Sequence, residues 1–129
     1  MALSFIIPGL DEATSEKVIG ILQERLSQEQ EAALVLKHAH WNVAGPNFIA
    51  VHEMLDPQVD EVLAMADETA ERIAALGGSP SGRPDDIVRF RTWPKFELDG
   101  RQNTLEYLRA LDAYYDSFNV ITTVLAEKK

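Results

Sequence analysis

The sequence predicts an all-α protein, an antiparallel bundle of long helices. Three observations carry this. Apolar residues recur at helical spacing through three long segments. Gly45-Pro46 and Gly77-Gly78 punctuate the intervals between them. No stretch alternates with the period of two that marks a strand.

The first helix is expected over about residues 15–40. Val18, Leu22, Leu26, Ala33 and Leu36 fall within one apolar sector at ~100° per residue. Gly45-Pro46 ends the connection that follows, and Asn47 is a reasonable N-cap for a second helix. That helix runs to about residue 76, where Gly77-Gly78 stop it. Its core side is Val51, Leu55, Val59, Val62, Ala66 and Ile73. Pro57 removes a backbone bond deep inside it, which predicts a kink or a later start of the regular helix. Residues 79–99, rich in Pro and Gly, read as a connection with a short helix around 85–91. Asn103 with Glu106 forms an Asx variant of a capping box and opens a third long helix. Its stripe is Leu105, Leu108, Leu111, Tyr115, Phe118 and Leu125. Three long amphipathic helices leave apolar faces uncovered. Either the faces meet another subunit, or a final helix is missing from this chain.

The chain has 129 residues, which predicts a single domain over 1–129. Hydrophobic residues make up 46% and charged residues 26%, enough apolar material for a core. Cysteine is absent, which excludes disulfides and thiolate metal sites and fits a reducing cytoplasm. The opening MALSFIIPGL lacks a basic n-region and is broken by Pro8-Gly9. It makes a poor signal peptide, and no run approaches the ~20 apolar residues of a membrane span. A cytoplasmic protein without membrane attachment is expected. The net charge of −9 repels nucleic-acid phosphates and suits cations or basic partners.

The acidic residues are placed unevenly. Within 47–76 lie Glu53, Asp56, Asp60, Glu61, Asp67, Glu68 and Glu71, against the single basic residue Arg72. A solvated helix face ordinarily mixes signs, because Glu–Lys pairs four apart add about 0.2–0.5 kcal/mol each. Here His52, Glu53, Asp56, Asp60, Asp67 and Glu71 share a sector of roughly 100° beside the apolar face. Crowded carboxylates without cations favour a metal ion or a basic partner. Of the three histidines, His52 lies in this sector and His40 closes the first helix. His38 is two residues from His40, points elsewhere, and reads as an ordinary packed histidine. His40, His52, Asp67 and Glu71 form a mixed imidazole and carboxylate set suited to iron, manganese or zinc. Its oxygen content favours a redox-capable iron site with open positions over closed structural zinc.

One straight helix cannot bring these ligands together. At about 1.5 Å per residue, His52 and Asp67 stand ~22 Å apart, whereas ligands sit ~2 Å from a metal. The Glu-x-x-His motif of in-bundle di-iron sites is also missing. A twofold axis resolves the conflict: His40 and His52 of one copy meet Asp67 and Glu71 of a second, giving two equivalent sites per dimer.

The run KHAHWNVAGPNFIAVHEMLDPQVDE, followed by ADETAERIAALGGSP, resembles the Dps family of mini-ferritins. The similarity extends over nearly the whole chain. It includes the opening SFIIPGL and the later RTW, which resemble the actinobacterial branch. The resemblance implies a ferritin-like four-helix subunit, a dodecameric cage built from twofold dimers, and ferroxidase sites shared between subunits. It implies metal ligands at His40 and His52 of one chain and Asp67 and Glu71 of another. It further implies a neighbouring acid at Asp56, a radical-intercepting aromatic at Trp41 and a lysine near the site at Lys37. Glu53 and Asp60 would face the cavity and nucleate mineral. The implied chemistry is oxidation of Fe(II), with hydrogen peroxide as oxidant and ferric mineral as product, protecting against oxidative stress. Two departures from the family pattern stand out. Its fourth helix does not follow Lys129, and the first sixteen residues hold no Lys or Arg, so weak or no DNA binding is expected. The alternatives are a non-catalytic structural or DNA-protecting assembly, and a zinc or manganese site without oxidation.

Overall fold

A computed structural model describes the backbone of residues 11–127 and the side chains of 11–118. The opening SFIIPGL and the side chain of Leu125 lie outside the described residues. Helix α1 spans Glu12–Asn42, slightly longer at both ends than its apolar pattern predicts. Asp11 caps it, accepting from the Thr14 amide at 2.8 Å and the Thr14 hydroxyl at 3.0 Å.

Helix α2 spans Phe48–Ala75 and is continuous through Pro57. The later start allowed by the sequence is therefore not what occurs. Asn47 stands at the N-cap position but does not cap: its φ is 65°, and its side chain makes no capping bond. It serves as a left-handed turn residue instead, a conformation asparagine tolerates. At the other end Gly77, at φ 91°, makes the left-handed turn, with Gly77 N–H on the Ala74 carbonyl and Gly78 N–H on that of Ile73. This is a Schellman stop. Val51, Leu55, Val59, Val62, Ala66 and Ile73 are all buried, together with Thr69.

The short helix α3 is Pro84–Arg89, opening on proline at its first turn. Helix α4 is Thr104–Glu127. Asn103 caps it as the sequence predicts, its Oδ1 accepting from the Glu106 amide at 3.0 Å. The α4 stripe differs from expectation. Leu111 is buried and Tyr115 and Phe118 are partly so, but Leu105 and Leu108 are exposed, and Tyr107 and Tyr114 take the core positions. Two strands of two residues were not foreseen: β1 (Val43–Ala44) and β2 (Gln102–Asn103) pair in parallel. Elements this short carry no periodicity that a sequence pattern could reveal.

Contacts along α1 fix the topology. Gln28 meets Ser117, Glu31 meets Tyr114, and His38 meets Tyr107, so α4 runs antiparallel to α1. Helix α2 returns along α1 from the short link 43–47, with Gly78 reaching Ile19. It too is antiparallel to α1, which makes α2 and α4 parallel. Joining parallel helices needs a connection that travels the length of the bundle, the single long crossover of ferritin-like topologies. Residues 76–103 provide it.

Polar side chains of α1 hold this crossover. Gln23 grips the Ser81 backbone at both ends of its amide, 2.8 Å and 3.2 Å. Glu24 accepts from Thr92. Glu31 receives Arg91, Trp93 Nε1 and the Tyr114 hydroxyl, the last at 2.7 Å. His38 meets the Leu98 carbonyl at 3.0 Å. So α1 is not a simple amphipathic helix. It is surrounded by α2, α4 and the crossover, and it buries Gln23, Ser27, Gln28, Glu29 and Glu31 beside Leu26 and Leu36. Val18 and Leu22 of the expected stripe are only partly buried, while Ile19 is buried. Among the described residues no helix is long and apolar enough to cross a membrane.

Glu29 interrupts the core. It is fully buried between the Leu26–Ala66–Ile73 cluster and the larger cluster around Leu36, Leu55 and Tyr107. Its carboxylate accepts from the Thr69 hydroxyl at 2.8 Å and lies 3.4 Å from Arg25 Nε. Burial raises its pKa above the usual carboxylate value, outweighing the Thr69 bond and Arg25. A carboxyl raised on folding favours the native state when protonated, and that contribution is lost as pH rises through the folded pKa. Glu29→Gln keeps an acceptor for Thr69 and removes the buried charge. The variant is expected to unfold at a higher denaturant midpoint than the parent at pH 7, with the gap narrowing as pH falls through the raised folded pKa and closing near the ordinary glutamate value of about 4.3. Paired urea melts across that range measure it.

Candidate metal centre

The site lies where α1 ends and α2 begins. The link 43–47 is short and turns sharply at Gly45 (φ 89°) and Asn47 (φ 65°). It brings the last turn of α1 against the first turns of α2, so His40 and His52 stack with ring centroids 3.7 Å apart and planes inclined by 16°. Each ring is tied to the other residue's backbone. His40 Nδ1 lies 2.5 Å from the His52 carbonyl, and His52 Nδ1 lies 2.6 Å from the His40 carbonyl. A carbonyl oxygen only accepts, so both Nδ1 atoms carry the proton. In its neutral form each ring then keeps a lone pair on Nε2. Fixing one ring nitrogen on a carbonyl to aim the other is how metal-binding histidines are commonly oriented.

Asp56 stands one turn along α2 from His52. Its Oδ1 accepts from Lys37 Nζ at 2.6 Å and lies 3.7 Å from His40 Nε2. The Lys37 hydrogen bond, helped by the nearby imidazoles, holds the Asp56 carboxyl below its usual pKa. A carboxylate ionised at neutral pH thus sits beside the imidazole pair. Trp41 is largely exposed on the last turn of α1.

The remaining sequence candidates lie apart. Asp67 and Glu71 are exposed on α2, four residues apart and far along the helix from His52. Glu53 and Asp60 are also exposed. Among the described residues of one chain, no three His, Asp or Glu side chains converge closely enough to hold a metal ion. His38 faces Phe96 and Tyr107 edge-on and hydrogen-bonds toward the crossover, away from His40.

Sequence reasoning missed the supports of this corner. Thr104, nearly buried at the start of α4, donates to the Pro46 carbonyl at 2.9 Å and approaches the Ala44 carbonyl at 3.4 Å. The β1–β2 pair lies beside it. Asn42 Nδ2 donates to the His38 carbonyl at 2.8 Å. None of these residue types stands out in a sequence, because the signal is a backbone carbonyl in need of a donor.

Comparison with known proteins places this geometry. Residues 19–127 match the ferritin-like domain family. The "DNA protection during starvation protein" of Mycolicibacterium smegmatis is 50% identical over 113 residues, which cover 88% of this chain and 61% of that protein. The chain thus spans about three fifths of that relative's length. Among solved structures, the tetragonal form of Mycobacterium smegmatis Dps superposes with a TM-score of 0.92 at 47% identity, covering 98% of this chain and 76% of that one. DpsA14 from Streptomyces coelicolor gives a TM-score of 0.92 at 44% identity, with coverage of 98% and 74%. Fold, crossover topology and sequence agree: the chain belongs to the ferritin-like family and, within it, to the Dps proteins.

Proposed function

We propose that this chain oxidises Fe(II) at a site shared between two copies and stores the ferric product. The observation that carries the reading is the reciprocal His40–His52 lock, which fixes two Nε2 lone pairs beside the Asp56 anion. Imidazole pairs are good iron ligands but need oxygen donors to complete a ferroxidase site. Asp67 and Glu71 are solvent-facing on α2, one turn apart, and free to reach a second copy. A twofold arrangement with antiparallel α2 helices brings them to the histidines and produces two sites per dimer. Six such dimers would build the dodecameric cage.

Iron is substrate here. Two Fe(II) each release one electron; hydrogen peroxide takes both, its O–O bond breaks, and two protons complete two waters. A two-electron step produces no hydroxyl radical. His40, His52, Asp67 and Glu71 bind and orient the iron, Asp56 adds negative potential, and Lys37 holds Asp56. Trp41, next to His40 in sequence and largely exposed, would intercept stray oxidant. The carboxylates of α2, Glu53 and Asp60 among them, make a surface that attracts Fe(II) and nucleates ferric mineral. A reducing cytoplasmic setting, which the absence of cysteine fits, would keep the iron ferrous.

The relatives' name points to DNA. At net charge −9 this chain favours cations over phosphates, which supports the iron reading and weak DNA binding. Zinc or manganese held without oxidation is the competing use of the same ligands.

A mixing experiment tests the shared site. A His40→Ala/His52→Ala chain and an Asp67→Ala/Glu71→Ala chain are each expected to be inactive. Refolded together, they form heterodimers with one intact site, and Fe(II)-dependent peroxide consumption returns. No recovery in a mixture that assembles normally would refute sharing.

A further inference from the structure

We infer that Thr104 is a positioning residue for the His40–His52 pair, so that the start of α4, distant in sequence, sets the aim of the metal-binding imidazoles. The inference deepens the iron reading and rests on it for its activity readout only.

The reciprocal ring-to-carbonyl bonds demand that α1 and α2 sit at one separation and one register. A slip of half an ångström would lengthen one bond and crowd the other, and productive site geometry tolerates little more. The five residues between the helices cannot enforce this alone. Two of them, Gly45 and Asn47, occupy the left-handed region, and the link contributes one turn bond of its own, Phe48 N–H to the Gly45 carbonyl at 3.2 Å. The carbonyls of Ala44 and Pro46 turn instead toward α4, where the Thr104 hydroxyl meets both. Among the described residues it is the one side chain recorded as bonding to the carbonyls of this link. Two features make it a fixed post. It directly follows Gln102 and Asn103, which pair with the link as β2, and it sits in the first turn that Asn103 closes on the Glu106 amide. The residue is only 9% exposed, so its side chain is held in one place. Removing the hydroxyl leaves the Pro46 carbonyl short of a donor and frees the link to drift. The imidazoles, whose aim depends on that link, drift with it.

Thr104→Val is close to isosteric and deletes only the donor. Thr104→Ser keeps the donor and deletes a methyl. Nitrogen-15 NMR of the imidazoles, without iron, is expected to show His40 and His52 of the parent as single Nδ1–H tautomers. In Thr104→Val it is expected to show tautomer mixtures, and in Thr104→Ser the parent pattern again. In parallel, the Fe(II) concentration giving half-maximal oxidation is expected to rise on the order of 10-fold in the valine variant, as for loss of an outer support of a metal ligand. The maximal rate should change little, and serine should restore the affinity. Should valine fold poorly, Thr104→Ala removes the same donor without branched bulk and gives the same two readouts. Unmoved imidazole signals in a folded Val or Ala variant, or a serine variant that behaves like valine, would overturn the inference. A parent inert toward Fe(II) whose imidazoles still respond to Thr104→Val would remove the iron reading and leave the positioning role standing.

Discussion

Replacing Glu31 with alanine is expected to lower the unfolding free energy by about 3–5 kcal/mol, the cost of breaking a buried ion pair by deleting one partner. Glu31 is buried and accepts four hydrogen bonds from three side chains, two on the crossover and one on α4. Arg91 binds one carboxylate oxygen through Nε at 2.8 Å and through its terminal nitrogen, while Trp93 Nε1 and the Tyr114 hydroxyl share the other oxygen. Alanine leaves a guanidinium, an indole N–H and a phenol without an acceptor in a closed site. Burial, the largest cause of the raised Tyr114 pKa, persists in the variant, so the phenol does not compensate by ionising. The crossover should detach first around residues 91–93, exposing Trp93 from the core. Urea melts followed by tryptophan fluorescence check the magnitude, and amide exchange localises the loss. Glu31→Gln, which retains acceptor capacity but not charge, should cost less than alanine. A Glu31→Ala chain as stable as the parent would mean that the network contributes no net stability.

This network also shows where sequence reasoning stops. The core face of α2 was legible residue by residue, because one helix packed on one side produces a clean apolar sector. So was the Asn103 cap of α4, because capping depends on neighbours in sequence. Helix α1 was legible as a helix but not in its packing. It is covered on several sides, and the crossover that covers one of them is irregular chain whose carbonyls and amides need polar partners. Gln23, Glu24 and Glu31 supply those partners, so residues that read as solvent-facing are contacts of the fold. Glu29 shows the same effect, since it lies between Leu26 and Ala33 in the apolar sector and still carries a carboxylate. On α4, Leu105 and Leu108 read as core but face outward in the single chain, while Tyr107 is fully buried with its hydroxyl on the Gly100 carbonyl at 2.6 Å. Tyrosine satisfies both the apolar core and a stranded carbonyl of the crossover, which leucine cannot. At the candidate metal centre His40, His52 and Asp56 stand out in the sequence, from the rarity of histidine and the one-signed acidic helix. The lock between the two histidines does not, because both acceptors are main-chain carbonyls.

His40→Ala, His52→Ala, Asp67→Ala and Glu71→Ala are each expected to slow Fe(II) oxidation by about 100-fold or more, beyond what loss of an outer-shell partner costs. The two pairs should differ in what else they disturb. His40 and His52 belong to the fold as well as to the site: each ring satisfies the other's carbonyl, so removing one strands an acceptor between α1 and α2. Each histidine variant should therefore lose about 1–3 kcal/mol of stability together with its activity. Asp67 and Glu71 are exposed and sit among like charges on α2, with Glu68 beside them. Removing one relieves repulsion, so the isolated chain should keep or slightly gain stability while activity falls as far as in the histidine variants. His38→Gln is the matched control. It alters a histidine two residues away, keeps a donor for the Leu98 carbonyl, and should leave the oxidation rate unchanged. Stopped-flow absorbance of ferric product, paired with thermal melts of each variant, separates these outcomes. If the acidic variants oxidised iron at the parental rate, the oxygen donors would have to come from elsewhere. Asp56, already beside His40, would then be the first residue to change.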